Sequence, residues 1–156
     1  MPLGPGVLDE SAVAALRAVD PVTDLGRDVV DRDAARACLA GLWLYCDGLD
    51  EAHTVCQENE GHAERDFWHA IMHRREPDAV NSKYWWRRVG AHPVLDQLRE
   101  RAPGVGYAFL SPETFVDFCE KVRNTGSAME ELAQRVQLLE WQLLFDWCYQ
   151  KACGLA

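Results

Sequence analysis

Apolar residues recur every three to four positions along most of this chain, and nowhere in a sustained alternation. Spacing of three and four collects side chains on one face of a helix, whereas a half-buried strand needs a period of two. One clear stripe is Ala35, Cys38, Leu39, Leu42, Trp43 and Cys46, within DRDAARACLAGLWLYCDG. Another is Leu132, Val136, Leu139, Leu143 and Trp147, which predicts a long helix over 128–152. Shorter helices are predicted over 10–19, 50–58, 63–75, 79–89 and 93–101. Ser111-Pro112-Glu113 supplies a capping side chain and then proline at the first helical position. Phe115, Phe118 and Val122 form the apolar face of the helix it starts.

The breaks between these segments have their own chemistry. Gly48 stands where a left-handed cap is expected, and Gly90 and Gly126 mark helix ends. Pro77 stops a helix because it lacks a backbone N–H and disfavours helix before itself. Ser127 to Glu130 fits a capping box. NEGH at 59–62 reads as a turn and APGVGYAFLSP as a loop. The pattern predicts an all-α fold, a compact single-domain bundle of seven or eight helices over 9–156, behind a Gly/Pro-rich tail at 1–8.

Composition narrows the function classes. At 156 residues, 48% hydrophobic and 26% charged, the chain suffices for one core without disulfide or metal staples. Six cysteines form no C-x-x-C pair, and several fall among apolar positions, so they read as reduced, small hydrophobes. A net charge of −9 argues against a nucleic-acid or anionic-membrane binder. No apolar run approaches the ~20 residues of a membrane span. The first residues show no positive and apolar leader pattern. The expectation is a soluble, cytoplasmic protein with no membrane partner, and no particular oligomeric state is indicated.

One run departs from the rest: WHAIMHRREPDAVNSKYWWRRVG, Trp68 to Gly90. His69 and His73, four apart, present two imidazoles on one side of a helix, a common way to offer nitrogens to a metal. Asp66 and Glu76 extend that stripe, and the preceding helix offers Asp50, His53 and Gln57. Asp50/His53 and Asp66/His69 resemble the acid-x-x-His pairs of di-iron bundles. With 25 acidic residues in 156, two such pairs hardly exceed chance. No H-E-x-x-H motif places a general base, and Cys56 near His53 is weak support for a thiol nucleophile. The alternative to a metal site or acid–base site is a hydrogen-bonded histidine network with Asp50 and Asp66 as its anchors.

The same run is basic and aromatic. Residues 74–88 carry +3, against −12 elsewhere. Arg74, Arg75 and Arg88 offer planar donors suited to carboxylate or phosphate, beside Asn81, Tyr84 and Trp85. The competing expectation is that the tryptophans are core anchors and the arginines pair with carboxylates. Binding of unpaired nucleic acid through this segment is the least expected use.

The runs LDEAHTVCQ and WHAIMHRREPDAVNSKYWWRRVGAHP resemble a set of bacterial and fungal proteins with no assigned activity. Those proteins share H-x-x-x-Q, W-H-A-x-x-H-R-R/K-E and N-x-x-Y-W-x-R-R segments. The matching positions here are His53, Gln57, Trp68, His69, His73, Arg74, Glu76, Asp78, Asn81, Tyr84, Trp85, Arg87 and Arg88. Some of those proteins carry glycine where this chain has Pro77. The resemblance covers the central third of the chain and implies that these residues act as one unit.

The functional expectation is a pocket between the helices at 50–58, 63–75 and 79–89. It is lined by His53, His69, His73, Arg74, Arg75 and Arg88, with Gln57, Asn81, Tyr84 and Trp85 around it, for a small phosphate- or carboxylate-bearing anion. Its candidate catalytic groups are the three histidines and Glu76. The first alternative is a divalent-metal enzyme, a hydrolase or oxidoreductase, with His53, His69 and His73 as ligands and Asp50 or Asp66 beside them. The second is a protein-interaction module with a structural His/Arg network.

Overall fold

A computed structural model describes residues 1–155; Ala156, the last residue of the expected domain, lies outside them. The described residues form eight α-helices and one 3-10 turn, with no strand. The helices are α1 (Glu10–Ala18), α2 (Arg32–Tyr45), α3 (Leu49–Gln57), α4 (Ala63–Arg75), α5 (Ala79–Val89), α6 (Pro93–Arg101), α7 (Pro112–Val122) and α8 (Ala128–Ala152), with the 3-10 turn at Ala102–Val105. This is the expected all-α bundle. No helix among the described residues is long and apolar enough to cross a membrane.

Most helix ends follow from local chemistry. Asp31, Asp78, Ser111 and Ser127 each cap a helix through a side-chain oxygen. Two punctuation marks differ from expectation. Gly48 is not the left-handed residue after α2; Asp47 is, at φ 63°. Gly48 is needed for a different reason, since a Cβ there would lie 2.7 Å from the Trp43 ring. The helix begun by Pro112 ends at Val122, where Asn124 at φ 60° turns the chain before Gly126 does. The Glu130 carboxylate accepts from the N–H groups of Asn124 and Gly126 rather than closing a capping box onto Ser127.

α4 lies at the centre, packed against α2, α3 and α5. Twelve of its 13 residues are buried, yet seven of these are charged or imidazole side chains. Its apolar side is conventional. Phe67, Trp68, Ile71 and Met72 join the main core, and Trp86 packs edge-on against Phe67. Gly41 lets α2 approach α4, because a Cβ there would lie 2.7 Å from the Trp68 ring. The polar side chains of α4 must each find a partner or forfeit one, since a buried donor without an acceptor costs about 1–3 kcal/mol.

The C-terminal end of α4 carries a strained cap. Asp78 N–H bonds the His73 carbonyl, as in a Schellman turn. Pro77 occupies the position that favours glycine and adopts φ 32°, away from the ~−65° its ring prefers. It also lacks the N–H that would bond the Arg74 carbonyl. Arg123 Nη2 takes that role from α7, donating to Arg74 O at 2.7 Å.

Candidate metal centre

The imidazoles of three positions on two helices meet. His53 lies near the middle of α3, and His69 and His73 sit one turn apart on α4. The turn at 58–62 folds α4 back against α3. Ring centroids are 4.7 Å apart for His53–His69, 5.2 Å for His53–His73 and 4.8 Å for His69–His73. One ligand nitrogen from each ring lies within 4.8 Å of the other two. Nitrogens held ~2.0–2.1 Å from one tetrahedral ion are about 3.3–3.4 Å apart, so the three would draw closer together on sharing one.

The surroundings of the rings are unequal. His73 Nδ1 is 2.9 Å from Glu76 Oε2, which favours a proton on Nδ1 and a lone pair on Nε2. The Asn81 amide nitrogen is 3.2 Å from that Nε2. Trp85 stacks on His69 with centroids 3.7 Å apart. Both ring nitrogens of His69 are buried and have no hydrogen-bond partner. Burial pushes His69 down to about 3, with the His73, His53 and Arg88 charges adding to the shift. Burial also lowers His73, against the opposing pull of Glu76. These two imidazoles are therefore neutral near pH 7, the form that binds a metal.

Arg88 borders the same stack. Its Cζ is 4.7 Å from the Trp85 ring centre; its Nε donates to Asp66 Oδ2 at 3.3 Å and its Nη1 to the Tyr84 hydroxyl at 3.2 Å. Asp66 also accepts from Gly61 N–H. Asp66 is thus committed to Arg88 and the turn, and Asp50 is an exposed residue of α3 outside the imidazole group. Neither carboxylate belongs to the ligand set. Gln57 is exposed one turn beyond His53 and makes no hydrogen bond to the rings.

Arg74 and Arg75 correct the expected lining. Both are fully buried and directed elsewhere. Arg74 bonds both Glu140 oxygens and Gln137 Oε1, and lies over Phe115. Arg75 bonds Asp47 and the carbonyls of Pro2, Leu44 and Gly4. The α4 positions after His73 turn these two side chains toward α8 and the N-terminal segment, so no free guanidinium of theirs reaches the imidazoles. That segment is held by them, and Leu3 is 1% exposed.

The expected hollow also takes a different form. A cavity of about 550 Å³ adjoins the site, walled by Leu8, Asp47, Leu49, Asp50, Glu76 and Asp78 among others. Its rim is acidic, and Glu76 is the wall residue whose side chain bonds the His73 ring. His53, His69 and His73 do not line this cavity. The rings pack directly on each other and on Trp85.

A second polar cluster had no recognisable motif. Glu64 is 2% exposed, and its Oε1 accepts from Trp147 Nε1 at 2.9 Å and Lys151 Nζ at 2.8 Å. His62 Nδ1 lies 3.2 Å from Oε2 and His92 Nε2 lies 3.9 Å from Oε1. Burial would raise the Glu64 carboxyl, but the nearby His92 imidazole and the bonds from Lys151 and Trp147 outweigh it and hold the group well below its usual range. This cluster ties α4 to α6 and α8; its members are scattered over 90 residues, too far apart for any spacing to reveal.

No family model matches the chain, and neither does any curated protein or solved structure.

The candidate group offers three imidazole nitrogens with no carboxylate or thiolate. Such a set suits Zn²⁺, Co²⁺, Ni²⁺ or Cu²⁺ far better than Mg²⁺ or Ca²⁺. Three protein ligands also leave a coordination position free for water or a substrate oxygen, as catalytic rather than structural zinc sites do.

Proposed function

We propose that the protein is a metalloprotein in which His53, His69 and His73 hold one divalent late first-row ion. Zn²⁺ fits this set, with an open position that serves metal-assisted hydrolysis or hydration. The observation that carries this reading is the approach of three imidazole nitrogens to within 4.8 Å, one ring having both nitrogens buried and unbonded. A purely structural histidine network gives no reason to bury His69 without partners, because replacement by an apolar ring would remove that cost. Glu76 acts as the outer partner that orients His73. The bound ion would supply Lewis acidity and lower the pKa of a coordinated water to ~7. Asn81 would give up its contact with His73 Nε2 as the ion enters. A small anion is the expected exogenous ligand, and a reducing, cytoplasmic setting accords with the six free thiols.

Elemental analysis of protein purified without a nickel column tests the reading. One equivalent of a late first-row metal is expected, and its loss in His69→Ala and His73→Ala. Absence of metal in the purified protein, together with no Co²⁺ or Zn²⁺ uptake by the chelator-treated protein, would overturn it.

A further inference from the structure

Resting on that reading, we propose that the open metal position takes a small oxyanion, a carboxylate or phosphate group, whose second oxygen is received by Arg88. Three neutral imidazoles leave the full 2+ charge of an ion uncompensated, since the ligand group contains no carboxylate. A partly buried cation in that state draws an anion from solution. Arg88 is the one guanidinium beside the imidazole stack, through Trp85. Two of its three nitrogens are engaged, Nε by Asp66 and Nη1 by Tyr84. Nη2 has no hydrogen-bond partner among the described residues, and the side chain is 33% exposed.

Position reinforces this assignment. Nη2 lies 3.8 Å from where a Cβ would stand on Gly61, so it is beside the α3–α4 turn. Of the three imidazoles His53 is the one only partly buried, which places the approach to the ion on the α3 side of the cluster. The proposed anion would reach from the ion past Trp85 to Nη2, since Trp85 touches both His69 and Arg88. Asp66 and Tyr84 act as positioning residues that hold the guanidinium plane. An Arg fork matches two oxygens of one anion where an ammonium offers only a point charge. Arg74 and Arg75 take no part, because every nitrogen of both is already bonded inside the protein.

The test uses the full chain loaded with Co²⁺, whose visible spectrum reports the coordination shell. Sodium phosphate and sodium acetate are titrated in turn, at ionic strength held constant with a non-coordinating salt. Saturable spectral changes are expected with at least one of them. Arg88→Lys keeps a cation beside buried Asp66 and so preserves the fold, but removes the free fork. It is expected to weaken anion binding about tenfold while changing Co²⁺ affinity less than about threefold. An anion response identical in Arg88→Lys, or no response in a protein that binds Co²⁺ stoichiometrically, would overturn this inference and leave the metal reading standing. Failure to bind Co²⁺ at all would overturn both.

Discussion

Two groups of polar side chains on α4 differ sharply in how their bonding is completed. Arg74 and Arg75 are fully buried, and every guanidinium nitrogen has an acceptor. His69, five and six residues earlier on the same helix, is also buried and has none. Saturation marks the arginines as structural: they bind α8, α2 and the first residues of the chain to the central helix. The unbonded imidazole, facing two others, marks the candidate site. Burial and polarity alone do not separate the two; the count of satisfied partners does.

Removing one member of the saturated group should give the largest effect. Burial disfavours the charge on Arg74, and the Glu140 carboxylate more than restores it. Glu140→Ala strands that charge, and a loss of about 3–5 kcal/mol is expected in chemical denaturation. Metal content per folded molecule should stay unchanged. The unsaturated group should behave in the opposite way. His69→Phe keeps a ring under Trp85, so apo-protein stability should shift by no more than about 1 kcal/mol, while Zn²⁺ affinity falls more than about 100-fold. A large stability loss with intact metal binding would erase the distinction.

Acid sharpens the contrast through Glu64, which is held far below the ordinary 4.5 of a glutamate. Because the folded value is the depressed one, the unfolded chain takes up the proton first. The stabilisation is present above pH 4.5 and is lost as pH falls below it toward the folded value. Denaturation series between about pH 6 and about pH 3 should show stability falling by up to about 1.4 kcal/mol per pH unit from this group. Glu64→Gln should flatten that limb.

Pro77 offers a smaller effect, of opposite sign. Its positive φ stores strain of about 1–3 kcal/mol, and glycine would relieve it at an entropic cost of about 0.4–1 kcal/mol. Pro77→Gly is therefore expected to raise the denaturation midpoint by the equivalent of about 1 kcal/mol. A lowered midpoint would show that the Arg123 bond to the Arg74 carbonyl already compensates the cap. The smallest effect belongs to Lys83 and Asp117, a 2.5 Å pair whose side chains are 28% and 64% exposed. Lys83→Ala should cost less than about 1 kcal/mol, and less still in high salt.

Much of the fold was legible from spacing and punctuation alone. Helix periodicity, the capping residues at Ser111 and Ser127, and the helix-stopping Pro77 are local properties, decided by backbone sterics and side chains a few residues away. The pairing of His69 with His73 was legible for the same reason, since one helical turn separates them. Tertiary structure decided the rest. It brought His53, already offered by the preceding helix, against the other two across the α3–α4 turn, left Asp50 and Asp66 out of the imidazole group, and carried Arg74 and Arg75 away to Glu140 and Asp47. Whether a buried polar group is satisfied depends on partners 28 or 66 residues distant. A helix specifies which side chains share its face, but only the packing of other helices determines what that face meets.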